Sequence, residues 1–141
     1  MRLATPEDLE VVQEIVQAAY TPWIDVIGMR PLPMEADYPA LIAAGHVHLD
    51  DLGGLIVLVP EDGVLLVDNV AVRPELHGRG MGRTLMAYAE AEAERLGLPA
   101  VRLYTNVKMA RNIALYESLG YRRLHEESIG NRHALHMRKE L

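Results

Sequence analysis

The chain has 141 residues, half of them apolar, which is enough to close one core and too few for two domains of ordinary size. Its net charge of −6 opposes the approach of a phosphate backbone, and no basic stripe with interleaved aromatics offsets it, so neither nucleic acid nor membrane is an expected partner. Cysteine is absent, which excludes a disulfide framework, a zinc–thiolate site and an acyl group carried on a protein thiol.

Met1-Arg2-Leu3 runs straight into Thr5-Pro6-Glu7-Asp8, leaving no room for the apolar stretch of a signal peptide or membrane span, and a cytoplasmic protein is expected. Thr5 as N-cap, Pro6 in the first turn and Asp8 three residues on predict a helix running to about Tyr20. Leu9, Val12, Ile15, Val16 and Ala19 form its apolar stripe. The stretch from Thr21 to Tyr38 holds Pro22, Trp23, Gly28, Pro31, Pro33, Glu35 and Asp37, a mixture that breaks helical periodicity. It reads as a functional loop, with a short helix beginning near Met34 and ending by Gly45.

From His46 the pattern turns to strands: His46 to Asp50, Gly54 to Pro60, a turn at Glu61-Asp62-Gly63, then Val64 to Val72. VLLVDNVAV suits a strand buried on both faces, and Asp68-Asn69 is its only polar interruption. Beyond Pro74, glycines lead into a helix from Met81 to Leu96, with Leu85, Ala89, Ala93 and Leu96 on one face and Gly97 as its stop. Ala100 to Thr105 is a further strand and Arg111 to Leu119 a helix. Tyr121 to Glu126 and His133 to Lys139 form a closing antiparallel pair. His46, His48, His133 and His136 lack a carboxylate set at ligand spacing, so no metal site is expected.

Gly78, Gly80 and Gly82 lie between a buried strand and a helix start, where backbone N–H groups can turn toward an anion and the helix terminus adds partial positive charge. Arg73, Arg79 and Arg83 concentrate positive charge in the same segment of an acidic protein, favouring a phosphorylated ligand. A P-loop would need Lys-Ser or Lys-Thr after its last glycine and finds Arg83-Thr84. A dinucleotide fingerprint would need glycine at position 83 and an acidic residue about 20 further on, where Pro99 and Ala100 stand.

His77-Gly78-Arg79-Gly80-Met81-Gly82 instead resembles the acetyl-CoA pyrophosphate loop of the GNAT superfamily, with His77 in place of the usual Gln or Arg. LYTNVKMARNIALYESLGY, Leu103 to Tyr121, resembles that superfamily's last block, with Leu115-Tyr116, Gly120 and Tyr121 in register. The resemblance runs from about Leu55 to Leu141. It implies one α+β domain over residues 1–141, a mostly antiparallel twisted sheet of six to seven strands flanked by about four helices. The implied reaction is direct transfer of acetyl from acetyl-CoA to a primary amine of a small molecule or peptide, with a homodimer open as an assembly. A non-catalytic acyl-CoA sensor or a protein-interaction module on the same fold are the rival readings.

By the same resemblance the backbone of Val70, Ala71 and Val72 holds the pantetheine arm beside a strand bulge. His77 through Thr84, including Arg79, Met81 and Arg83, cradle the pyrophosphate, and Asn106 and Asn112 lie near the arm. Tyr116 stands where it can protonate the departing thiolate. Asp68 is a candidate to draw a proton from the amine through water, with a carboxylate satisfied by backbone donors as the alternative. Ribosomal-protein acetyltransferases of the superfamily carry a glutamate at the position of Tyr104, which argues against a protein N-terminus as acceptor. Trp23, Glu35, Asp37 and Tyr38 are the candidates for acceptor binding.

Overall fold

In the computed structural model, which describes all 141 residues, the chain runs β1 (Arg2–Leu3), α1 (Leu9–Ile27), α2 (Tyr38–Ala43), β2 (Val47–Asp50), β3 (Gly54–Glu61) and β4 (Val64–Val72). It continues with α3 (Met81–Arg95), β5 (Ala100–Asn106), α4 (Ala110–Ser118), β6 (Arg122–Ile129) and β7 (Arg132–Glu140). Single 3₁₀ turns occupy Pro6–Asp8, Leu32–Glu35 and Pro74–Leu76. The expected α+β architecture is present: one seven-stranded sheet in the order β1-β2-β3-β4-β5-β7-β6, parallel only between β4 and β5.

Helices cover both faces of the sheet, and strand alternation sorts the apolar residues between them. Leu55 and Val57 of β3 face α1 and α2, joining Val12, Ile15 and Val16. Ile56 and Leu58, their neighbours in sequence, face α3 and α4 and pack with Leu65, Val67, Leu85, Met86, Val101 and Leu103. With no Phe in the chain, these close-fitting aliphatic side chains carry the core, and Leu85, Met86, Ala89 and Ala93 of α3 are fully buried.

The first helix corrects the sequence-based boundary. Its entry is as expected, with Asp8 accepting hydrogen bonds from the Thr5 N–H at 2.8 Å and hydroxyl at 3.2 Å. It does not stop near Tyr20 but continues through Pro22 to Ile27, where Gly28, at φ 86°, closes it by donating to the Ile24 carbonyl at 2.8 Å. Packing decides the outcome. Pro22 itself is exposed, whereas Trp23 and Ile24 pack on the α1–α2 core and Ile27 is buried in it. Those contacts outweigh the missing N–H and ring clash, which cost a helix interior roughly 3 kcal/mol.

That balance predicts the effect of Pro22→Ala. Restoring the helix N–H at an exposed position should stabilise the protein by about 1–3 kcal/mol, the helix gain offset in part by a more flexible unfolded chain. Urea unfolding checks it: an unchanged or lower midpoint would show that Pro22 itself is needed to seat Trp23.

Candidate active site

The site begins with a register fault. On β4 the pairs with β3 run Val72–Gly54, Ala71–Leu55, Val70–Ile56 and Asn69–Val57, then jump to Val67–Leu58, so Asp68 is an extra residue without a partner. On the other side, β5 pairs with β4 only at Leu65, Leu66 and Val67. Beyond this point β4 holds β3 and leaves β5, and the gap carries unclaimed backbone groups of the kind an extended ligand can pair with.

On one side of the gap lies a cleft of about 480 Å³ lined by the glycine segment, Val70, Val72 and the start of α4. Gly78 and Gly80 have φ of 80° and 76°, conformations that turn the backbone inward and that side chains resist. Gly82 has a different reason to be glycine: a Cβ there would sit 3.1 Å from Leu115, so its absence lets α3 and α4 close together. His77, Gly78, Gly80, Met81, Gly82 and Arg83 line the cleft directly. Arg111, from α4, adds a second guanidinium, held 5.9 Å over the Trp23 ring. Glycine backbone, the first turn of the 15-residue helix α3 and two arginines fit a pyrophosphate-bearing ligand.

On the other side is a smaller cavity of about 80 Å³, walled by Asp68, Tyr104, Asn106, Met109 and Arg132 and by Pro31, Leu32 and Pro33. Its one carboxylate is Asp68, which accepts the Tyr104 hydroxyl on Oδ1 at 2.5 Å. Burial first, and then that bond, hold the Tyr104 phenol well above its usual range, so the proton stays on the phenol. Asn69, the other polar residue of the strand, is buried and serves a frame: its Nδ2 donates to Tyr38 at 3.0 Å, and Tyr38 donates to the Pro33 carbonyl. The Tyr20 hydroxyl lies against both Asn69 Oδ1 and the Val70 carbonyl, the latter at 2.8 Å.

Cleft and cavity meet at Tyr20, Val70, Asn112 and Tyr116, which line both. Five of the six tyrosines hydrogen-bond within the protein: Tyr20, Tyr38, Tyr88, Tyr104 and Tyr121. Tyr116 does not. Its ring is packed on the α3–α4 core, yet its hydroxyl is not closed off from the surface. Burial pushes its pKa up to about 12, which keeps the phenol protonated through the physiological range.

Several candidates from the sequence lie elsewhere. Trp23 lines the cleft of the glycine segment instead of the opposite cavity, because α1 runs on past Tyr20. Glu35 pairs with Arg30 at 2.6 Å, Asp37 caps α2 by accepting from the Ala40 N–H at 3.1 Å, and neither reaches cleft or cavity. Tyr38 is buried in the frame behind Asp68. Asn106 faces the smaller cavity, and its Oδ1 accepts from the Lys108 N–H in the turn before α4. The Thr84 hydroxyl is taken by the Gly80 carbonyl at 3.0 Å and Arg79 lies outside the cleft lining, while Ala71, expected to act through its backbone, turns only its methyl into the α1–α2 core. Arg73 turns away to Glu14 at 2.8 Å. Sequence reasoning missed Tyr20, Arg111 and Arg132. Tyr20 carried a signal, standing four residues after Val16 on the buried stripe of α1; the two arginines carried none.

The chain shares short stretches with curated enzymes. It is 43% identical over 56 residues to a mycothiol acetyltransferase of Kocuria rhizophila, a match covering 40% of this chain and 18% of that protein. It is 40% identical over 53 residues to the ribosomal protein bS18 alanine N-acetyltransferase of Escherichia coli, covering 38% of this chain and 36% of that protein. Over almost its whole length it has the fold of the PaiA N-acetyltransferase of Thermoplasma acidophilum, solved with coenzyme A. The TM-score is 0.79 at 18% identity, over 99% of this chain and 97% of that one. The acetyltransferase (GNAT) family matches residues 10–121, a span that holds the bulged strand, the glycine turn and the Tyr116 helix together, and the chain belongs to that family.

Proposed function

We propose that the chain transfers the acetyl group of acetyl-CoA to a primary amine, as a single domain and without a covalent enzyme intermediate. The observation that carries this reading is the parting of β4 from β5 at Val67, which joins an anion-binding cleft to a carboxylate-bearing cavity through a common floor. The one-domain reading is supported by a sheet that is continuous from residue 2 to residue 140.

Acetyl-CoA brings an activated acyl group, and the protein's own residues do the rest. Gly78, Gly80, Arg83 and Arg111 hold the diphosphate end, and the backbone from Val70 to Val72 aligns the arm. The Val70 carbonyl keeps a second lone pair for a ligand N–H beside the one facing Tyr20. Asp68, with Oδ1 fixed by Tyr104, presents its other oxygen to the incoming amine and passes the displaced proton toward solvent. Tyr116 supplies a proton to the leaving sulfur.

Gly80→Asp tests the cleft. A Cβ at Gly80 meets no atom within 4 Å, and aspartate tolerates the left-handed conformation better than most residues, so the fold should hold. The carboxylate opposes the diphosphate, and calorimetry should show acetyl-CoA affinity falling by about 100-fold or more. Unchanged affinity in a folded variant would remove the glycine turn from the site.

Tyr116→Phe tests the acid. Because the hydroxyl has no partner in the protein, stability should stay within about 0.5 kcal/mol of the parent. Turnover should fall about 10²-fold or more with coenzyme affinity nearly unchanged. The deficit should narrow as pH rises past about 8.5, where the free thiol ionises unaided. With Tyr116 itself ionising only near 12, the parent enzyme should lose no activity to it below about pH 11. A Phe variant of full activity, with chemistry rate-limiting, would give the proton's source to solvent.

A further inference from the structure

The groups lining the acceptor-side cavity say which amine it takes. The side chains with formal charge are Asp68 beside the floor shared with the cleft and Arg132 at the far end, with Leu32, Leu103 and Met109 among the apolar groups of the wall. Arg132 makes one hydrogen bond in the protein, from Nη1 to the Arg30 carbonyl at 2.7 Å, and no carboxylate pairs with it. Its remaining N–H groups have no protein partner. Glu35 and Asp37, the acidic residues that would otherwise suit a second ammonium, stand outside the cavity and are already engaged.

Register gives the spacing. Tyr104, whose hydroxyl marks Asp68, pairs with His136 across β5 and β7, and Asn106 pairs with Ala134; Arg132 lies two residues further along the same face. Along the strands the level of Asp68 and that of Arg132 are about four residues apart, roughly 13 Å, and β4 and β7 stand two strands apart, roughly 10 Å more across the sheet, a separation their side chains shorten. An α-amino acid, with one carbon between its charges, spans less of that separation than an amine and an anion joined by a longer spacer. A polyamine or aminoglycoside would bring a second cation against Arg132. The net charge of −6 draws cations from a distance, but that attraction is screened beyond about 8–10 Å and does not choose between groups inside the cavity.

We infer that the acceptor is an amine joined by an aliphatic spacer of several atoms to an anionic group, the amine meeting Asp68 and the anion meeting Arg132. The inference rests on the acetyl-transfer reading. Arg132 acts here as a specificity residue, and like charge at the far end excludes diamines as much as opposite charge attracts the anion.

Thiol release from acetyl-CoA with δ-aminovalerate, pentylamine, cadaverine and glycine tests it on the full chain. The specificity constant should be highest for δ-aminovalerate, lower for pentylamine and lowest for cadaverine, with about tenfold or more between the extremes, and glycine should be poor. Arg132→Glu should reverse the order of δ-aminovalerate and cadaverine. If all acceptors fall together in that variant and the order stays, Arg132 only tethers the Arg30 loop and the inference is overturned. Preference of the parent for cadaverine or for glycine overturns it as well, with acetyl transfer intact. No thiol release with any amine, while calorimetry shows acetyl-CoA bound, would remove both readings.

Discussion

Asp68 is the one residue of β4 between Val64 and Val72 that has no partner on β3, and its insertion reverses the strand's alternation. Val67 and Asn69, two apart, would ordinarily share a face; here Val67 packs with α3 while Asn69 bonds to tyrosines on the α1–α2 side. The reversal places two polar side chains in the middle of an apolar strand at the level where β5 has just left it. A straight strand would carry β5 further, close the gap and bury Asp68 against hydrocarbon. Leaving the gap open costs backbone hydrogen bonds, each about 1 kcal/mol net when satisfied and more when left bare. The Tyr20 hydroxyl on the Val70 carbonyl offsets part of that cost.

A chain with no Phe must use tyrosine wherever the core needs a ring, and each buried phenol then requires a partner. Tyr20, Tyr38 and Tyr104 find theirs on or beside β4, which turns a packing requirement into the frame around the bulge. Tyr38 and Asn69 brace the back of the smaller cavity, and Tyr104 fixes one oxygen of Asp68. Tyr116 stands apart because its hydroxyl opens on the meeting point of cleft and cavity, where a reacting group could be its partner. Where ribosomal-protein acetyltransferases of the superfamily are expected to carry a glutamate, this chain has Tyr104, and a carboxyl group, Asp68, meets it from the neighbouring strand.

Much of this was legible in the sequence because it depends on local rules. The glycines of the α3 turn, the period of α3 and the run from Val64 to Val72 each placed an element within a residue or two. The Asp68-Asn69 interruption stood out as polar in an apolar strand, while the bulge itself was expected only from the family resemblance. What was not legible depends on contacts remote in sequence. Pro22 argued for a loop after Tyr20, yet Ile24 and Ile27 had a core to join, and tertiary packing overrode the local signal. Glu35 and Asp37 were plausible binders of an amine only while their neighbours were unknown. One is paired with Arg30 and the other spends its carboxylate on the first turn of α2. Arg132, on a hairpin over 100 residues from the loop it touches, gave no signal at all.

The proposed absence of a covalent intermediate follows from what the two spaces share. A carrier would need a nucleophile where both substrates can reach it, and the residues at that junction are Tyr20, Val70, Asn112 and Tyr116. Amide and aliphatic groups cannot hold an acyl group in transit. The two phenols could do so only as phenolates, and burial raises both pKa values, well above the usual range for Tyr20 and to about 12 for Tyr116. The shift that makes Tyr116 a poor nucleophile also keeps it protonated and able to serve as a donor. The same burial therefore disfavours the two-step route and equips the one-step route, in which amine and thioester must be held at this junction together.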